Sequence, residues 1–159
     1  MLVKVITIGK LKEKYLLEGI KEYTKRLQAY TKIEYIEVSD ESIPDKCSDA
    51  TAQMIKEKEG FKVLSKIKQD DYVIVLDVQG KQIDSLELSN KMEQCMINGK
   101  STIVFVIGGS LGHAKDILNR ADFSLSFSKM TFPHQLMKLI LVEQIYRAFK
   151  IMKNESYHK

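Results

Sequence analysis

Three loops and the last three residues carry the side chains whose types and spacing could do chemistry. Gly108-Gly109-Ser110-Leu111-Gly112 follows the apolar run Thr102 to Ile107; its glycines permit positive φ and close approach of backbone to a ligand. The spacing is not Gly-x-Gly-x-x-Gly and no Gly-Lys-Ser/Thr follows, so neither a dinucleotide fingerprint nor a P-loop is present. Asp77-Val78-Gln79-Gly80-Lys81 follows Tyr72 to Leu76. Asp77 is placed for acid–base work or, more commonly, for capping the next turn. Ser128-Lys129-Met130-Thr131-Phe132-Pro133-His134 follows the alternating Phe-Ser-Leu-Ser-Phe of residues 123–127. The chain ends Tyr157-His158-Lys159: a ring that stacks or hydrogen-bonds, an imidazole suited to proton transfer near neutrality, and a cation for a phosphate. The polar stretch Lys153 to Lys159 equally reads as a loose terminus. His113, His134 and His158 lack a second ligand at metal spacing, and Cys47 and Cys95 are too few for a zinc site or disulfide framework, so no metal is expected. No Ser or Cys stands in a nucleophile elbow, which leaves covalent hydrolase chemistry without support.

The elements that must position these loops are short β-branched runs alternating with helical stripes. Leu2 to Ile8, Ile33 to Val38, Tyr72 to Leu76, Thr102 to Ile107 and Phe123 to Phe127 read as strands. The third and fourth are continuously apolar, as parallel strands covered on both faces are. Leu16, Ile20, Tyr23, Leu27 and Tyr30 make an amphipathic helical stripe within residues 12–30. Residues 48–67 and 84–97 read as two further helices, and a short one follows Gly112. The helix from Gln135 to Met152 is apolar around most of its girth, with Leu136, Leu139, Ile140, Tyr146 and Phe149 on one face and Met137, Leu141, Ile145, Ala148 and Met152 on another. Such a helix is buried on more than one side, either within the monomer or against a second copy; a homodimer is the expectation. The alternation predicts an α/β fold, a mainly parallel sheet flanked by helices, in which ligands sit beyond the carboxyl ends of the strands.

Composition agrees with a single domain over residues 1–159. Hydrophobic residues make up 44% and charged residues 29% of the chain, ordinary globular usage. No apolar run reaches the roughly 20 residues that span a bilayer, and no basic region precedes the first apolar stretch, so no membrane association and a cytoplasmic location are expected. Charge is uneven. Residues 1–32 hold eight Lys/Arg against three Asp/Glu, residues 33–99 eight against fourteen, and residues 100–159 nine against four. Two basic ends flank an acidic middle; brought together they form either a face for a polyanion such as RNA or a solvated Lys-rich surface.

Read as a set, the segments carry a resemblance. Leu76-Asp77-x-x-Gly80-Lys81, Phe105-Val106-Ile107-Gly108-Gly109, Met130-Thr131-Phe132-Pro133-His134-Gln135-Leu136, Glu143-Gln144-x-Tyr146-Arg147-Ala148 and Tyr157-His158-Lys159 closely resemble the ribosomal RNA large subunit methyltransferase H family over essentially the whole chain. At Lys138 the family more often carries Arg, which keeps the charge and adds a planar fork. The resemblance implies a SPOUT-type fold with a C-terminal trefoil knot, which no rule of chain topology would lead one to expect. It implies S-adenosyl-L-methionine as methyl donor, N3 of a pseudouridine in large-subunit (23S) rRNA as acceptor, assembled ribosomes as substrate and a homodimer as the working unit. Matched by position, cofactor contacts fall to Leu76, Gly108, Gly109, Phe127, Ser128, Lys129, Met130, Thr131 and Phe132. Tyr157 and His158 become the catalytic candidates, His158 as proton acceptor, and Arg147 and Lys159 hold phosphate or a substrate oxygen. A related SPOUT enzyme with a tRNA target and a non-catalytic ribosome-binding protein are the rival readings.

Overall fold

The computed structural model describes all 159 residues, Met1–Lys159. In chain order the elements are β1 (Leu2–Ile8), α1 (Lys14–Leu27), β2 (Lys32–Val38), α2 (Asp49–Leu64), β3 (Tyr72–Gln82), α3 (Ser85–Ile97), β4 (Thr102–Ile107), α4 (Lys115–Arg120), β5 (Phe123–Ser126) and α5 (His134–Met152). All strand pairings are parallel and the sheet order is β2-β1-β4-β3-β5. The expected α/β architecture is therefore present. β4 is central, and its run Ile103 to Ile107 is buried throughout because helices cover both faces.

Side-chain alternation sorts the core into two layers. Val3, Val5, Ile74, Phe105 and Leu125 face α1, α3 and α5, meeting Leu27, Met92, Leu141 and Ile145. Ile6, Val73, Val75, Val104 and Val106 face α2 and α4, meeting Val63 and Ile117. A capping box fixes the start of α3, with the Glu87 N–H donating to Asp84 Oδ1 and the Asp84 N–H to Glu87 Oε2, both at 2.8 Å. No helix is long and apolar enough to cross a membrane.

Three features add to the reading of the sequence. β3 does not stop at Leu76. Leu76 and Lys81 both pair with Leu125, so residues 77–80 bulge out of the ladder and the strand resumes to Gln82. The helix α5 lies between α1 and α3, which bury Leu141, Ile145 and Phe149 within the chain, while Leu136, Met137, Leu139 and Ile140 stay half-buried. Leu139 packs on Gly19, and Ser89 Oγ donates to the Ala148 carbonyl at 2.8 Å. Finally, the tail is not loose. It turns back on α5, placing the Tyr157 ring 4.9 Å from that of Tyr146 in an edge contact.

Candidate active site

At the carboxyl ends of β3, β4 and β5 the loops surround a cavity of about 320 Å³. The bulge contributes Asp77 and Val78, the glycine turn contributes residues 108–112, and the last strand and its loop contribute Leu125 to Ser128 and Met130 to Phe132. His134 and Met137, from the first turn of α5, close it. Of the nine residues expected to contact a cofactor, Leu76, Gly108, Gly109, Phe127, Ser128, Met130, Thr131 and Phe132 line this cavity; Lys129 does not. Two bonds hold the last loop in shape: Ser126 Oγ donates to the Ser128 carbonyl, and the Met130 N–H donates to Ser128 Oγ, each at 3.0 Å. Asp77 takes its turn-capping role, accepting from the Gln79 N–H at 3.2 Å.

The glycines of the turn play different parts. Only Gly112 has positive φ (87°); Gly108 and Gly109 do not. Gly108 is needed for space, since a Cβ there would lie 2.9 Å from Cε1 of the His113 ring. That ring was missed in the sequence, where His113 reads as an isolated histidine. His113 Nε2 lies 2.8 Å from the Leu76 carbonyl. A carbonyl only accepts, so Nε2 carries the proton and Nδ1 is left with a lone pair. Nδ1 is buried without a partner, and is the one such side-chain atom in the protein. Burial holds the imidazole below its ordinary value of 6.5. Since the unfolded chain protonates this group near 6.5 and the folded chain resists, the unfolded state binds more protons below that pH. Stability then falls as pH drops from 6.5 towards the lowered value. Urea unfolding of the wild type and His113→Gln at pH 7.5 and 5.5 is expected to show a smaller acid loss in the variant; equal losses would contradict this role.

A second cluster lies farther along α5. Glu143 Oε1 accepts from Arg147 Nη2 at 2.6 Å and from Tyr157 Oη at 2.9 Å, while Gln144 Nε2 donates to Glu143 Oε2 at 2.9 Å. Arg147 Nη1 sits 3.2 Å from His158 Nδ1, and its guanidinium covers the Tyr157 ring. Burial, first, and the bond to Glu143 hold the Tyr157 phenol well above its usual range, so it is a neutral donor. Tyr157, His158 and Arg147 are thus brought together; Lys159 is exposed beside them. Glu143, the acceptor that organises the cluster, was given no role from sequence, although its position four residues before Arg147 is the spacing of a helical ion pair. The two clusters do not meet within the chain. Ten residues separate Met137 from Arg147, about 15 Å along the helix.

The two basic ends do meet. Arg26 of α1 lies over the rings of Tyr23 and Tyr146, and Lys150 of α5 over Tyr30 and Tyr146. Lys138, by contrast, is buried, with Nζ 3.9 Å from Glu37 and 5.0 Å from the Tyr35 ring centre. Desolvation lowers its pKa from the ordinary lysine value.

Comparison with known proteins places this geometry. The family model described as "Predicted SPOUT methyltransferase" matches residues 1–158. The chain is 56% identical to the ribosomal RNA large subunit methyltransferase H of Enterococcus faecalis and 57% identical to that of an Exiguobacterium species, each over 159 residues and the full length of both chains. The chain belongs to the ribosomal RNA large subunit methyltransferase H family. A Clostridium perfringens member, ribosomal RNA large subunit methyltransferase H 1, is 55% identical, again over both full lengths. Within this methyltransferase family the strand-end cavity is the place to look for a methyl donor. Its lining offers apolar surface from Leu76, Ile107, Leu125, Phe127 and Met137 beside the backbone of the glycine turn. No group of three or more His, Cys, Asp or Glu side chains is arranged to hold a metal ion.

Proposed function

We propose that this protein is a cytoplasmic S-adenosyl-L-methionine-dependent methyltransferase that modifies N3 of a pseudouridine in large-subunit (23S) rRNA of assembled ribosomes. The observation that supports it most is the strand-end cavity, lined by eight of the nine expected contacts, in a chain of this family. Leu76, Gly108, Gly109 and the stretch Phe127 to Phe132, Lys129 included, are the residues that hold the cofactor. S-adenosylmethionine supplies a methyl group on a sulfonium centre with a good leaving group. The chain's task is orientation: the apolar walls exclude water and the loops fix the acceptor in line. The adjoining charge supports a polyanionic partner, with Arg147 and Lys159 holding a phosphate or a substrate oxygen and α1 adding Lys21, Lys25 and Arg26. A ligand at 100 times its dissociation constant stabilises the fold by about 2.7 kcal/mol, so S-adenosylmethionine is expected to raise the melting temperature.

The working unit is a homodimer in which the tail of one protomer completes the partner's cavity. The separation of about 15 Å along α5 supports this. So do Met130 and Phe132, 72% and 38% exposed at the cavity's rim. Mixing two inactive proteins tests it. Gly108→Val spoils the cavity and His158→Ala the tail, and a mixed dimer joining them retains one intact site if the tail acts across the interface. About a quarter of the wild-type rate is expected from a fully exchanged equal mixture, given one good site in half of the dimers. No activity in the mixture would show that each tail serves its own chain.

A further inference from the structure

We propose that His158 serves this reaction as a hydrogen-bond donor to a carbonyl oxygen of the acceptor base, held in its Nε2–H form by Arg147, and that the N3 proton leaves to water rather than to the protein. The inference rests on the acceptor reading above and assigns its proton route.

Hydrogen-bond polarity carries it. Arg147 Nη1 is 3.2 Å from His158 Nδ1, and a guanidinium has donors but no acceptor. Nδ1 must therefore present a lone pair, which puts the ring proton on Nε2. Histidines that act as bases have the opposite arrangement, in which a carboxylate or carbonyl accepts from one nitrogen and leaves the other bare. Here a carboxylate is present but one link further back. Glu143 Oε1 binds Arg147 Nη2 at 2.6 Å, fixing the guanidinium that fixes the imidazole. Tyr157 Oη donates to the same Glu143 oxygen at 2.9 Å, so the phenol cannot receive a proton either. The charged group in contact with His158 is Arg147 of α5. Glu143 and Tyr157 are linked to it through Arg147, Lys159 adjoins it in the chain, and Tyr23 and Arg26 of α1 and the Lys150–Glu155 pair lie beyond, around Tyr146. His158 itself is exposed, leaving Nε2–H open to a bound base.

An imide nitrogen between two carbonyls needs no strong base. Its N–H bond breaks to water, and the electron pair spreads over N3 and both oxygens. Nε2–H of His158 and the cations Arg147 and Lys159 stabilise that charge where it develops. The N3–methyl bond then forms from this pair as the sulfur–methyl bond breaks, and the positive charge on sulfur and the negative charge on the imide cancel. Proton, electron pair and leaving group are all accounted for with water as the only added reactant.

Two measurements on the full-length protein test it. Long-range proton–nitrogen NMR of the free protein above neutrality is expected to show His158 protonated at Nε2 and bare at Nδ1; a proton on Nδ1 would overturn the assignment. Single-turnover methyl transfer to ribosomes lacking the modification is then followed from pH 6 to 9. The rate is expected to climb about tenfold per pH unit with no plateau near neutrality. His158→Gln, which keeps an acceptor and an N–H donor, is expected to lose about tenfold with the same slope, and His158→Ala a further tenfold or more. A plateau above neutrality, with His158→Gln as slow as His158→Ala, would make His158 the base. Absence of label at pseudouridine N3 from the wild type at every pH would instead remove the acceptor reading, and this inference with it.

Discussion

Removing Tyr157, His158 and Lys159 is expected to slow methyl transfer about a thousandfold while leaving a folded protein that still binds S-adenosylmethionine. The three residues supply no cavity wall in their own chain, and the loops at 76–78, 108–112 and 125–132 stand without them. Their loss removes the edge contact of Tyr157 on Tyr146, the cover of the Tyr157 ring by Arg147, and two hydrogen bonds, Tyr157 to Glu143 and Arg147 to His158. Together these are worth about 2–3 kcal/mol, a part of the stability that a domain this size can lose and stay folded. Glu143 keeps its bond to Arg147, so no buried carboxylate is orphaned. The catalytic loss is larger because orientation and charge stabilisation at the acceptor go together, and each is commonly worth factors of about 100 or more. Calorimetric titration with the cofactor separates binding from transfer. A shortened protein that still methylates at more than a tenth of the wild-type rate would contradict a catalytic tail.

Gly80→Ala is expected to be the most damaging single-methyl change in the fold, lowering stability by about 3 kcal/mol. A Cβ at residue 80 would lie 2.7 Å from the Ser124 carbonyl carbon and oxygen and 2.9 Å from the Leu125 carbonyl carbon. These are backbone atoms, so no rotamer change relieves the clash. β5 is four residues long and pairs with β3 alone, at the point where Leu76 and Lys81 share Leu125. Pushing it outward opens the bulge and displaces the loop beyond Ser126, which brings Phe127, Ser128, Met130, Thr131 and Phe132 to the cavity wall. For a chain of this length, 3 kcal/mol corresponds to a fall in melting temperature of about 6–12 °C. A variant melting within about 2 °C of the wild type, with cofactor affinity intact, would show that β5 has room the geometry denies it.

Local pattern made much of this legible. The bounds of β1 and β4 follow directly from β-branched runs between polar residues, and the helix read over residues 84–97 is found at Ser85–Ile97. The three strand ends that form the cavity could be chosen because parallel sheets place ligands there. What was not legible depends on partners distant in sequence. The bulge at 77–80 exists because β5, more than forty residues later, pairs with β3 on both sides of it. His113 looked idle because its bond is to the carbonyl of Leu76, 37 residues earlier. The ordered tail depends on Glu143, and nothing in Lys153 to Lys159 announces a half-buried acceptor waiting on α5. The need for glycine at 108 was hidden for a related reason: it makes room for the His113 ring, which is set by its distant bond to Leu76.

The most direct test is transfer of labelled methyl from S-adenosylmethionine to ribosomes purified from a strain lacking this protein, with isolated rRNA and tRNA in parallel. Label is expected in the large-subunit rRNA of intact ribosomes, at N3 of a pseudouridine, and absent when that residue is left as uridine. Label confined to tRNA, or none on ribosomes while the cofactor still stabilises the protein, would contradict it.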